Sequence, residues 1–153
     1  MLVGLKDRAQ TRDFFRGYAK KAASLTPPAL RAVGDAFRAF RNGKAEWRML
    51  HIYIVIIEIV REVRPVAERI ARHDRDLARQ LKKASVAVAL NVAEASGTRG
   101  GRRRNTYEIA LGEARETRAC LEAAEAIGYV PKIAPELLDR LDRVIATLVK
   151  VVR

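Results

Sequence analysis

Arg99, Arg102, Arg103 and Arg104 crowd into one short stretch that also holds Gly97, Gly100 and Gly101. Each guanidinium can grip a phosphate through two hydrogen bonds at once. Upstream, Arg72, Arg75, Arg79, Lys82 and Lys83 recur at spacings of three and four, which on a helix makes one basic ridge. No Phe, Tyr or Trp interleaves with either cluster. Base stacking is therefore not indicated, and recognition of the nucleic-acid backbone is the chemistry these residues could perform. Such binding shows little sequence preference and a steep salt dependence. The competing reading is a solvated face, or a surface for acidic groups of a protein partner.

Other chemistries are poorly supplied. His51 and His73 have no second His or Cys at ligand spacing, and a metal site needs three or four ligands. They read as one partly buried and one surface histidine. The single cysteine, Cys120, excludes an intrachain disulfide and reads as a buried free thiol. Gly97 to Gly101 follows no strand and lacks the Lys-Ser/Thr of a phosphate-binding loop, so no cofactor is expected. Asn91 and Glu94 lie three apart near the end of a helical stretch. They read as a structural polar network, with Tyr107, Gly112 and Glu116, that ties the second helix of a bundle to the third. A mid-helix glycine such as Gly112 costs about 1 kcal/mol relative to alanine. It is most simply kept where another helix crosses closely.

The whole chain favours a polyanion partner. Its 153 residues carry a formal net charge of +12, a field that draws polyanions and speeds encounter. Residues 1–45 hold ten of the 30 Lys/Arg. With 49% hydrophobic but only 6% aromatic residues, the core should be Leu, Ile, Val and Ala packed between helices. The longest apolar run, Ile52 to Ile57, falls far short of the roughly 20 residues that span a bilayer. The N-terminus has no continuous apolar stretch of the secretory kind. A cytoplasmic protein with no membrane partner is expected.

Periodicity supplies the elements that must position these residues. Residues 1–45 read as a basic helical N-terminal extension broken at Thr26-Pro27-Pro28 and closed at Asn42-Gly43. Residues 46–153 read as a four-helix bundle domain. Its first helix starts near Glu46 and carries a stripe through Leu50, Tyr53, Ile54, Ile57 and Val60, with Pro65 expected to kink or restart it. The second starts near Asp74 or Asp76, turns Leu77, Leu81, Ala84, Val88 and Val92 to the core, and ends at Gly97. Thr98 to Arg104 is expected to be a flexible basic loop. The third helix should begin at Asn105 as N-cap, with Glu108 completing a capping box, and stop at Gly128. Its core positions run from Ile109 to Ile127. The fourth follows Pro135. Short connections imply an all-α, antiparallel up-down-up-down arrangement.

Gln80, Lys82, Lys83, Ala84, Val88, Asn91, Val92, Ala93 and Glu94 follow a helical pattern that continues in Tyr107, Ala110, Gly112 and Glu116 and in Ile127 to Tyr129. This pattern resembles a family of small four-helix bundles. The family includes the protein encoded in 23S ribosomal RNA intervening sequences and the accessory variability determinant of diversity-generating retroelements. The resemblance covers about residues 47 to 152, with Ala87, Ala95 and Glu113 departing from the pattern. It implies a non-enzymatic homo-oligomer, in the form of a ring-like pentamer. In the retroelement case it also implies a reverse transcriptase as partner, while RNA or DNA is the ligand to which the basic residues themselves point. The enzyme alternative is a HEPN-like ribonuclease using Arg69 or Arg72 with His73, although the Arg–His spacing is short for that class. A structural oligomer serving an acidic protein is the third reading.

Overall fold

A computed structural model describes residues 44–153, and their side chains from His51 onward. The expected helical extension over residues 1–45, with its breaks at Pro27-Pro28 and Asn42-Gly43, lies outside the described residues save for Lys44 and Ala45. Four helices follow: α1 (Lys44–Ile70), α2 (Arg75–Gly97), α3 (Gly100–Ile127) and α4 (Pro135–Val152). There is no strand among the described residues. Each helix packs on its neighbours in sequence, and α1 also packs on α4, which closes the ring of an antiparallel four-helix bundle.

Local chemistry sets most helix ends. The Leu77 N–H donates to Asp74 Oδ1 at 2.8 Å, so Asp74 is the N-cap of α2. Thr98 ends α2 by donating its backbone N–H and its hydroxyl to the Ala95 carbonyl. Gly128 takes φ +84 and ends α3 in a Schellman turn, with Gly128 N–H bonded to the Glu125 carbonyl and Tyr129 N–H to that of Ala124. Pro135 opens α4 at a position whose N–H needs no partner.

Three expectations are corrected here. First, of the two outcomes expected at Pro65 the restart does not occur: α1 runs unbroken from Lys44 to Ile70. Pro65 and Arg61, whose carbonyl loses its helical hydrogen bond, both lie on the exposed side of α1, where solvent can reach that carbonyl. Second, the buried seam of α1 is Ile52, Ile56, Ile59, Val63, Ala67 and Ile70, with Tyr53 beside it. Of the expected stripe, Tyr53 and Ile54 are buried, Ile57 and Val60 are only half-buried, and the Leu50 side chain lies outside the described residues. The run Ile52 to Ile57 is apolar on every side and fits either phase. The charged C-terminal half, with Arg61, Arg64, Glu68 and Arg69 outward, fixes the phase. Third, α3 starts at Gly100 and not at Asn105. Gly100 takes φ +62, which glycine adopts without steric penalty, and this reverses the chain within two residues of the end of α2. Arg102 to Arg104 are good helix formers and continue it, leaving Asn105 exposed inside the helix.

The core is aliphatic and alanine-rich. Leu81, Ala84, Val88 and Val92 of α2 face Ala110, Ala114, Leu121 and Ala124 of α3, and Leu137, Leu141, Val144 and Leu148 of α4 complete it. Leu77 is only partly buried against this core. Ile109 and Ile127, expected inside, are exposed. Arg118 of α3 forms an ion pair with Asp142 of α4 at 2.7 Å, without hydrogen-bond alignment at that nitrogen. Arg140 of α4 reaches Glu62 of α1. Cys120 is a buried free thiol, held protonated above its ordinary range by burial and by the nearby Glu116 carboxylate. Burial also raises the Tyr53 phenol.

Candidate nucleic-acid interface

The basic ridge forms as its spacing requires. Arg75, Arg79, Lys82 and Lys83 are exposed on the outer side of α2, opposite the buried Leu81, Ala84 and Val88. Arg72, in the turn before α2, is exposed as well. Arg79 pairs with Asp76 at 3.1 Å, in the weak exposed class of ion pair. No carboxylate of the described residues lies within ion-pair distance of Arg72, Arg75, Lys82 or Lys83. Four cations on one face thus keep their full field for an external anion.

The second cluster is built differently. Arg99 is the residue before α3, and Arg102, Arg103 and Arg104 sit in its first turns. The flexible loop expected for Thr98 to Arg104 is reduced to a two-residue connection. Arg102 reaches back to Glu94 of α2 at 3.3 Å, and Arg104 pairs with Glu108 at 3.1 Å. The Arg103 guanidinium lies 5.7 Å from the centre of the Tyr107 ring, a cation–π distance. No acidic residue stands in the first turn of α3, so its dipole adds to the positive field there. Yet two of the four arginines already face a carboxylate.

The two clusters sit near opposite ends of α2. From Lys83 to Gly97 the helix rises roughly 20 Å. Val86 and Leu90 occupy the same outer stripe in between.

The structure does not gather the expected polar network into one group. The Asn91 side chain donates to the Ala87 carbonyl of its own helix at 2.8 Å. Glu94 turns to Arg102. Glu116 accepts from Gln80, and this contact does join α2 to α3. Tyr107 is buried in the core. Gly112 is exposed, and a Cβ there would meet nothing within 4 Å, so none of the four described helices crosses it closely. His51 and His73 are both exposed, which corrects the expected partly buried one. His73 stacks on Tyr129 with ring centres 5.3 Å apart and planes 6° off parallel. Spacing gave no hint of that contact, because it joins the α1–α2 turn to the α3–α4 turn. Among the described residues no group of three or more His, Cys, Asp or Glu could hold a metal, and no helix is long and apolar enough to cross a membrane.

Fold and surface together define an antiparallel four-helix bundle with a strongly basic outer helix face. The sequence pattern of the 23S rRNA-intervening sequence protein family matches residues 48–150, and the chain belongs to that family. The bundle is similar to the crystal structure of a protein of unknown function from the S23 ribosomal protein family of Bacteroides thetaiotaomicron. That comparison has a TM-score of 0.60 at 16% identity, over 67% of this chain and 98% of that one. At such identity the likeness carries the fold alone. No curated protein sequence matches the chain significantly.

Proposed function

We propose that this protein is a non-catalytic, basic scaffold that binds the phosphate backbone of RNA or DNA. One observation carries the reading. Arg72, Arg75, Lys82 and Lys83 form an exposed row of cations with no carboxylate of the described residues in reach. Cations left unpaired on one face release counterions from a polyanion and gain affinity by doing so. The absence of Phe, Tyr and Trp from the row limits sequence reading. The scaffold acts in the cytoplasm as a homo-oligomer, a pentamer by the resemblance drawn from its sequence. A reverse transcriptase is the protein partner that the same resemblance implies.

The test is binding of nuclease-treated protein to labelled RNA and DNA duplexes across a salt series, with the mass in solution measured alongside. Micromolar or tighter binding is expected at low salt. It should be equal for unrelated sequences and fall linearly on a log–log plot against salt. A folded protein that ignores both duplexes at low salt would overturn the reading.

A further inference from the structure

The outer stripe of α2 changes character halfway along. Its first half is Arg75, Arg79, Lys82 and Lys83, and its second half presents Val86 and Leu90, 43% and 65% exposed. Ile109 of α3, 46% exposed, lies beside that second half. Two cross-contacts set the register: Gln80 to Glu116, and Glu94 to Arg102. Between them, Ile109 falls level with Ala87, one turn from Leu90. Gly112 follows Ile109 on the same outer stripe of α3. A Cβ there would touch nothing among the described residues, so they do not explain the roughly 1 kcal/mol that a mid-helix glycine costs. Close approach by something outside supplies one.

We propose that this face docks an amphipathic helix of a protein partner, acidic over one half of its length and apolar over the other. The acidic half meets the Arg75 to Lys83 row. The apolar half lies over Val86, Leu90 and Ile109, with Gly112 admitting its backbone. Helix-in-groove recognition of this kind reads side chains at spacings of three and four.

The charge pattern selects this occupant. Phosphate chains gain nothing from Leu90 and Ile109. Residues 1–45 of the chain itself carry ten Lys/Arg and would be repelled by the row. A second copy offering the same face would set ridge against ridge if parallel, or ridge against the apolar patch if antiparallel, and neither the row nor Val86, Leu90 and Ile109 offers the cations a carboxylate. Its carboxylates at Glu62, Glu122, Asp139 and Asp142 already face arginines of their own bundle. An anionic lipid surface would meet Glu94 and Glu113, each one turn from the apolar patch.

The probe is a labelled helical peptide of about 20 residues, the length that spans the stripe. It carries Glu on one half-face and Leu on the other. A composition-matched peptide with Glu and Leu interleaved is the control. Fluorescence anisotropy on the full-length protein should show the block peptide bound at least tenfold tighter than the control. Leu90→Asp and the pair Lys82→Glu, Lys83→Glu should each remove that preference. Leu90 is exposed, so Leu90→Asp should melt like the wild type. It should also keep its affinity for duplex RNA, which separates failure of this surface from failure of the phosphate-binding reading. Equal binding of the two peptides would overturn the proposal, as would a Leu90→Asp variant that still prefers the block peptide. Two further outcomes would also overturn it. One is a smaller solution mass for Leu90→Asp, which gives the patch to a second copy. The other is Leu90-dependent binding to phosphatidylserine vesicles without peptide binding, which gives it to lipid.

Discussion

Along α2, Arg75, Lys82 and Lys83 point outward with no carboxylate of the described residues near them, whereas at the start of α3 Arg102 and Arg104 lie 3.3 Å and 3.1 Å from Glu94 and Glu108. By composition the second cluster is the denser one and attracts attention first. In the folded chain it is the more neutralised. Position on the helix explains the difference. The ridge occupies the solvent side of α2, and the acid that pairs with it is Asp76, which takes Arg79. The arginines of α3 stand one turn from Glu108 and next to the end of α2, where Glu94 projects. Local charge density in a sequence therefore overstates the field where the fold supplies counter-charges.

Replacing Arg75, Lys82 and Lys83 together with alanine breaks this comparison most directly, and it should have the largest effect. If all three contact phosphates, the slope of log K against log salt should become shallower by about 2 to 3, at roughly 0.9 per contact. Thermal stability should hardly move, since exposed substitutions that remove no cap or buried contact stay within about 0.5 kcal/mol. A triple variant with an unchanged salt slope would remove the ridge from the interface. Arg102→Ala with Arg104→Ala should do less, with a slope change below about 1 and a stability loss within about 1 kcal/mol for two exposed pairs. The reciprocal change is sharper. Glu94→Gln with Glu108→Gln releases both arginines and should tighten binding at low salt, an effect that added salt erases. Weakened or unchanged binding there would show that self-pairing does not govern the second cluster.

Much of this architecture was legible in the sequence because the relevant chemistry is local. Asp74, Gly128 and Pro135 mark helix ends through one side chain or one backbone angle, and each end lies where that chemistry places it; α2 does end at Gly97, but Thr98 supplies the capping bonds. The ridge was legible for a related reason: a spacing of three and four can only build one face. The misread parts depend on partners distant in sequence. The apolar run Ile52 to Ile57 does not choose between two phases of α1, and the seam through Ile52, Ile56 and Ile59 is set by the charged half that follows and by the packed bundle. The glycines at 97, 100 and 101 suggested a loop. A single positive φ at Gly100 suffices for the reversal, and the arginines that follow are helical. Asn91 and Glu94 were grouped by proximity in sequence, but one bonds back to its own helix and the other reaches across to α3.

Gly112 gives the smallest effect, and its sign is informative. It is exposed in mid-helix, its φ is not positive, and a Cβ would meet nothing within 4 Å. Gly112→Ala should therefore stabilise the bundle by up to about 1 kcal/mol, since alanine loses less backbone freedom on entering a helix. The gain would appear as a higher denaturant midpoint with an unchanged slope. A loss of stability would mean that a second molecule packs against this glycine in the protein as it exists in solution. Repeating the measurement at several protein concentrations separates the two cases. A gain that is independent of concentration belongs to the isolated chain. A loss that grows with concentration places a close helix crossing at Gly112, on the face where α2 and α3 show Leu90 and Ile109 to solvent.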